Sequence, residues 1–219
     1  MKYYIANTTI DNCPGSPRDW DNLGIIAAKH NKYDIADSGH LNVEDFFEDL
    51  PSIEKDYLYL PIYIYAHGGI SLSTTPFSCP WDSGHVGYIY ASKDRIKKEF
   101  EVEDITNDII EKAYNLFTEE IKVYSQYLSG EIYQFLVYEL DKEQVEDIIQ
   151  YLPEDWVEKY ELMNTEDRIE FSKRYFMLED EGDIDGEVVD VVGGYYEEDI
   201  AKEEALITIS NFIISEDIA

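Results

Sequence analysis

The chain is poor in cysteine, in positive charge and in long apolar runs, and each shortage removes a class of protein. Two cysteines, Cys13 and Cys79, are too few for a disulfide framework, and their spacing fits neither a paired zinc motif nor a redox CxxC. They point to a reducing, intracellular setting. Lys and Arg number 17 against 48 Asp and Glu, a formal net charge of -31. That excludes direct nucleic-acid binding, because phosphates are held by a basic surface. No stretch approaches 18 consecutive apolar residues, and the opening Met1-Lys2-Tyr3-Tyr4-Ile5 reaches Asn7 and Asp11 without a signal-peptide core. A soluble, cytoplasmic protein with no membrane partner is expected.

Two further absences concern chemistry. The histidines, His30, His40, His67 and His85, are scattered, with no HxxxH or HExxH pair to set two ligands on one helix face, so no zinc site is expected. Gly68-Gly69 and Gly193-Gly194 lack the Lys-Ser/Thr or GxGxxG context in which backbone amides cradle a nucleotide. The chain is expected to need no cofactor.

What the sequence does contain is enough apolar material to fold. It is 44% hydrophobic and 14% aromatic, with 19 Tyr, 9 Phe and 3 Trp in 219 residues, which sets it apart from an acidic disordered tail. The charge is uneven: residues 1–100 hold 14 acidic and 9 basic side chains, net -5, whereas residues 101–219 hold 34 and 8, net -26. Aromatic and aliphatic residues recur through the acidic half, so its charge is displayed on folded structure.

Periodicity assigns the elements. Leu58, Leu60, Ile62 and Ile64 alternate with Tyr59, Pro61, Tyr63 and Tyr65 as a strand, with Pro61 calling for an edge or a bulge. Val86 to Ala91 and Ile132 to Leu140 alternate likewise, and Val188 to Val192 reads as a further strand. Ser92 or Asp94 caps a short helix, and Thr106 or Asn107 starts a longer one that places Ile109, Ala113, Leu116, Phe117, Ile121, Tyr124 and Leu128 on one side before the Ser129-Gly130 stop. Asp141 and Gln144 resemble a capping box for a helix burying Val145, Ile148, Ile149 and Leu152 up to Pro153. Thr165 caps another, with Ile169, Phe171 and Phe176, and residues 197–214 read as a helix or a helix plus strand. The expected class is α+β, a mixed or antiparallel sheet with packed helices and an acidic, helix-rich C-terminal half. It is read as a single domain over 1–219, with 141–185 as an acidic insertion or subdomain.

Three stretches bear on function. Thr74 to His85 is a turn-rich loop between strands, in which Cys79 would be a nucleophile with His85 or His67 as base and Asp82 orienting it. No nucleophile signature surrounds the cysteine, and the alternative is a loop whose Trp81 and Phe77 plug the core while Cys79 packs as a small hydrophobe. Glu181, Asp183 and Asp185 with Gly186 match the opening of a calcium loop, but position 12 is Val192 where a bidentate Glu belongs. An acidic turn before the strand Val188 to Val192 is the favoured reading, and calcium binding the weak alternative.

The third is a set of motifs. Pro17-Arg18-Asp19-Trp20-Asp21-Asn22-Leu23-Gly24, the run Phe77-Ser78-Cys79-Pro80-Trp81-Asp82-Ser83-Gly84-His85-Val86-Gly87-Tyr88-Ile89-Tyr90, and Gly186 to Asp190 with Gly193-Gly194-Tyr195-Tyr196 stand out. Together they resemble a family of small, largely uncharacterised bacteriophage and mobile-element proteins. The resemblance covers roughly residues 10 to 140 and 186 to 204, carries no catalytic assignment, and implies a phage or mobile-element origin.

Origin and charge together lead to the expectation of a phage-encoded inhibitor of a host nucleic-acid-processing defence enzyme, of the anti-restriction or anti-CRISPR type, acting in the host cytoplasm as an acidic DNA mimic. Carboxylates on successive helix turns sit about 5 to 6 Å apart, close to phosphate spacing along a strand. The phosphate surrogates would be Glu143, Glu146, Asp147, Glu154, Asp155, Glu158, Glu161, Glu166 and Asp167, and the partner a host DNA- or RNA-binding protein with a basic groove. A homodimer is compatible with this reading. Two alternatives stay open: an inhibitor or adaptor anchored by shape and by aromatics near Tyr59, Tyr63 and Tyr65, and a Cys79-dependent enzyme. The enzyme is the less favoured.

Overall fold

The computed structural model describes residues 1–37, 39, 42–48, 50–178 and 184–218, the side chains of 45–47 and 51 excepted. It divides the chain into two compact units, Met1–Pro14 with Gly130–Ala219, and Gly15–Ser129. The fold is α+β in both, with two mostly antiparallel sheets.

In the first unit, Tyr3–Ile10 (β1) pairs antiparallel with Tyr133–Leu140 (β6), the alternating run expected from sequence. Glu187–Tyr195 (β8) adds to the other side of β6, and the two-residue Met177–Leu178 (β7) lies parallel to β1. Alternation divides the sheet's side chains between two cores. Tyr4, Ala6, Phe135 and Val137 meet Ala205, Ile209 and Ile213 of the helix Glu198–Ile218 (α8), so the ambiguous stretch 197–214 is helix from Glu198 onward, with no strand. Tyr3, Ile5 and Leu140 face the opposite way. They pack with Val145 and Ile149 at the helix Lys142–Ile148 (α5), Trp156 and Tyr160 of Trp156–Leu162 (α6), and Phe176 after Thr165–Tyr175 (α7). Residues 142–178 thus supply much of one core and, through β7, a strand of the sheet.

The second unit is built on a sheet ordered β2-β5-β3-β4, from Ile25–Ala28 (β2), Tyr57–Tyr65 (β3), Ser71–Ser73 (β4) and Ser83–Ser92 (β5). Pro61 lies on a strand paired on both sides, yet β4 reaches only Tyr63–Tyr65, so the residue without an N–H faces an unpaired margin, and a bulge follows at Ile62/Tyr63. The helix Asn107–Ser129 (α4) buries Ile109, Ala113, Phe117, Ile121 and Tyr124 against Ile26, Ile62 and Ile89. Leu116, expected on that stripe, is 39% exposed, because the buried 3.6-residue line runs through Ala113 and Phe117 and turns position 116 outward. Ser92 caps Lys93–Glu99 (α3), its hydroxyl accepting from Arg95 N. On the sheet's other face, Ala27, Tyr88 and Tyr90 pack with Val43 of Val43–Glu48 (α1) and with Leu50 and Ile53 of Leu50–Asp56 (α2).

Candidate functional site

The first unit carries 28 acidic and 7 basic side chains, net -21, and the second 20 and 10, net -10. Helices α5 to α7 show how that charge is presented. The Asp141 side chain accepts from Gln144 N at 3.0 Å and Gln144 Oε1 accepts from Asp141 N at 2.8 Å, the capping box expected from sequence. Asn164, one residue earlier than the expected Thr165, caps α7 by accepting from Asp167 N at 2.9 Å. An Asn side chain is a good N-cap, and it frees Thr165 to enter the first turn, where its hydroxyl donates to Asp217.

With the apolar faces of these helices turned to the core, the polar faces are fixed outward. Glu143, Glu146, Asp147, Glu154, Asp155, Glu158, Glu161, Glu166 and Asp167 are all exposed. Lys142 meets Glu146 at 3.7 Å, and Lys159 meets Asp155 at 2.7 Å. The Lys159 hydrogen bond holds the Asp155 carboxyl below its ordinary value. Like charges one turn apart, such as Glu143 with Asp147 on α5, weaken an isolated helix by about 0.2–0.5 kcal/mol per pair. Packing around Trp156, Tyr160 and Phe176 is what holds the acidic face in shape.

The loop Thr74 to His85 lies in the second unit and is bonded to itself and to β3. Ala66 N donates to Asp82 O at 2.8 Å, and the Ser83 hydroxyl donates to Cys79 O. Cys79 Sγ points at Asp82 Oδ2 from 3.8 Å, and His67 Nδ1 meets the same carboxylate oxygen at 3.3 Å. The order is thiol, carboxylate, imidazole. A thiol nucleophile needs the imidazole in the middle position, taking the thiol proton while the carboxylate orients it. His85 is engaged elsewhere: its Nε2 bonds Gly87 O at 2.9 Å, its ring sits edge-on to Tyr88, and burial lowers it from its ordinary value.

The packing alternative for this loop fails at one residue. Phe77 is half-buried against Tyr65 and Cys79 is half-buried, but Trp81 is 90% exposed. The carbonyl and side chain of Asp82 are both used to close the loop, and this leaves the preceding indole outside. Trp81 borders an open cleft of about 410 Å³ lined also by Lys29, His30, Ser83 and His85. The tyrosines considered as anchors are half-buried with partners of their own. Tyr59 donates to Glu54 at 2.7 Å and, through burial and that bond, is pushed up to about 12. Tyr63 lies against His85, and Tyr65 against Phe77 and His67.

Sequence reasoning missed a buried ionic network that explains the Pro17–Gly24 motif. Arg18, its side chain 9% exposed, donates from Nε and Nη2 to Asp37, from Nη1 to Glu120 at 3.2 Å, and from Nη2 to Gly24 O at 2.7 Å. Glu120 in turn accepts from Leu23 N at 2.8 Å and Gly24 N at 3.1 Å. Burial lifts the Glu120 carboxyl above its ordinary value against the pull of the Gly24 N–H and Arg18. Burial alone would lower the Arg18 guanidinium, but the hydrogen bonds and charge of Asp37 and Glu120 raise it. All three guanidinium nitrogens donate within this unit, which marks the network as a brace for the loop entering β2. The available signal was the arginine amid turn residues; its partners lie 19 and 102 positions away.

The Gly193-Gly194 pair has a comparable role. Asp11 Oδ2 accepts from Gly194 N at 3.0 Å, Gly194 has a φ of +86°, and a Cβ on Gly193 would stand 2.3 Å from that same oxygen. Of the calcium alternative, Glu181 and Asp183 lie outside the described residues. Asp185 is exposed, its carbonyl accepting from the Gln144 side chain. Among the described residues no group of three or more His, Cys, Asp or Glu is placed to hold a metal, and no helix is long and apolar enough to cross a membrane. Comparison with protein-family models, with curated proteins and with solved structures finds no match.

Proposed function

We propose that the chain is a phage-encoded inhibitor of a host nucleic-acid-processing defence enzyme, anti-restriction or anti-CRISPR in type, and that the exposed face of α5 to α7 acts as a DNA mimic. The observation that supports this reading is nine exposed carboxylates on the three helices α5 to α7 and the turn before α6, in a unit with net charge -21. A basic groove built for a duplex is drawn to such a face by long-range attraction, and binding weakens as salt shortens the Debye length. Direct nucleic-acid binding is opposed by the same charge.

The test is capture of a binding partner from host lysate at low and then high salt, followed by substitution of Glu143, Asp147, Glu154, Glu158, Glu161 and Glu166 with their amides. The substituted protein should fold, since all six are exposed, and should lose both capture and inhibition. Retention of both would sink the proposal.

A second reading, a partner anchored by aromatics without mimicry, is favoured by the 90% exposed Trp81 on its self-bonded loop and by Trp20, 55% exposed. Salt separates the two, because an aromatic anchor keeps its affinity at high ionic strength.

A further inference from the structure

The cleft beside Trp81 lies within the second unit, at one end of its sheet. Strand β2 stops at Ala28 opposite Gly87, with a last bond from Lys29 N to Val86 O at 2.8 Å, while β5 extends beyond it to Ser83. This overhang borders a space of about 410 Å³, with the buried Ile64 and Val86 at its floor and Trp81 and the turn Lys29–Asn31 as its walls. That volume falls within the range of sites that enclose a small molecule.

Two features of the cleft have no use inside the fold. Trp81 is held 90% exposed by a loop closed around it, through the Ser83–Cys79 and Ala66–Asp82 bonds. Gly84 has no positive φ, and a Cβ there would meet nothing within 4 Å, so neither backbone conformation nor packing calls for a glycine. Glycine inside a strand otherwise marks a close approach by a ligand or another backbone. Its register partner is Ile64, one of the floor residues, so a side chain at position 84 would rise into the cleft.

The local charge is the reverse of the chain's. No carboxylate occurs from Gly24 to Tyr33, and Lys29-His30-Asn31-Lys32 sets two lysines and a histidine in one turn of a chain with only 17 Lys and Arg. Lys29 is bonded to Glu44 at 2.6 Å, but both side chains are more than half exposed; such a pair is worth little, so the ammonium is open to another anion. His30 Nδ1 accepts from Lys32 N at 3.3 Å, which leaves the ring proton on Nε2 as a donor. Asp82, the one carboxylate lining the cleft, is turned to His67 Nδ1 and Cys79 Sγ. The chain's negative excess lies mainly after residue 100, and charges farther than about 8 Å are screened at physiological salt.

We propose that this cleft binds a nucleoside monophosphate, its base stacked on Trp81 and beside the Asn31 amide, its phosphate held by Lys29 and His30. An apolar anchor from a protein would use the indole and leave the cations idle, and a bare anion would do the opposite. A flat ring carrying an anion uses both. Stacking on an indole accepts any base, and a lysine holds phosphate as a point charge, so no glycine loop is needed. The site shares no residue with the acidic face of α5 to α7 and goes beyond the function proposed for that face.

The test is titration of the whole protein with AMP, GMP, CMP and UMP, followed by indole fluorescence and calorimetry, with the nucleosides and inorganic phosphate in parallel. At least one nucleotide should quench saturably, its nucleoside should bind more weakly, and phosphate alone should not quench. Trp81→Ala should weaken nucleotide binding roughly tenfold. Lys29→Gln should weaken the nucleotide and leave the nucleoside unchanged, and Gly84→Val, which fills the floor, should abolish both. Each variant should keep the circular dichroism of the parent, since Trp81 and Lys29 are exposed and position 84 faces open space. Absence of saturable binding by all the nucleotides overturns the proposal, as does binding indifferent to Trp81→Ala or Gly84→Val. Equal affinity for nucleoside and nucleotide overturns it too. Capture of a protein that depends on Trp81, with no nucleotide bound, assigns the cleft to that partner and equally overturns it.

Discussion

The guanidinium of Arg18 grips the carboxylate of Asp37 with two parallel hydrogen bonds, Nε to Oδ1 at 3.0 Å and Nη2 to Oδ2 at 2.6 Å. Asp37 Oδ2 also accepts from Ile26 N at 2.8 Å, and Asp37 N returns a bond to Ile26 O at 3.0 Å. One carboxylate thus ties an arginine to the backbone of β2.

Removing the arginine leaves two carboxylates with their charge unmatched. Arg18→Ala is expected to destabilise the protein by about 3–5 kcal/mol, read as a lower urea midpoint. Arg18→Lys keeps the charge but not the planar fork, and should recover only part of the loss. A wild-type midpoint in Arg18→Ala would show that the network is not a brace.

Glu120 gives a pH signature. Its folded-state value lies above the ordinary 4.5, so the folded protein holds this proton more tightly than the unfolded chain. The stabilisation from the protonated form is complete below the unfolded value and is lost as pH rises through the folded one. In Glu120→Gln that loss disappears, so variant stability relative to wild type rises with pH just above 4.5. Urea titrations of both proteins across that window measure it, and parallel curves would refute it.

Two glycines of the second motif separate packing from exposure. A Cβ at Gly87 would stand 2.1 Å from Ala27 O on the neighbouring strand, whereas Gly84 has open space. Gly87→Ala is expected to cost on the order of 3 kcal/mol by forcing β2 and β5 apart, and Gly84→Ala to change stability by less than about 0.5 kcal/mol. Thermal unfolding of the pair reads the contrast directly.

Trp81 and Cys79 distinguish binding from catalysis on the same loop. Trp81→Ala should leave stability within about 0.5 kcal/mol of wild type, because the indole is 90% exposed. Any loss of partner affinity is then a direct effect on binding. Cys79→Ala is expected to leave inhibition intact, since Sγ is directed at Asp82 and not at an imidazole. Abolished activity in Cys79→Ala with an unchanged fold would support the enzyme reading.

Local rules carried the sequence reading a long way. Alternation located β3, β5 and β6, a run of valines marked β8, and the Asp141–Gln144 box and the apolar stripe of α4 were legible because each depends on residues within a few turns of one another. Strand β1 was missed: Asn7, Thr8 and Thr9 interrupt its apolar pattern, and Asn7 is nonetheless 5% exposed between β6 and β7. The outward position of Trp81 was missed for a similar reason, since an indole in a turn-rich loop reads as a core plug until the bonds made by Asp82 are known.

The sequence by itself determined the class of structure, the excess of -31 and its concentration after residue 100, because composition and short-period patterns need no partner from afar. Only the tertiary structure decided which carboxylates are matched and which are displayed. Glu120 and Glu119 are neighbours on one helix, yet Glu120 is largely enclosed against Arg18 and the N–H groups of Leu23 and Gly24, while Glu119 is exposed beside Lys122. The same holds for α8, whose buried Ile209 and Ile213 and exposed Ile207 and Ile214 are indistinguishable in the sequence until one side is covered by a sheet. Long-range packing assigns the faces, and charge and apolar area acquire meaning for binding only once a face is left over.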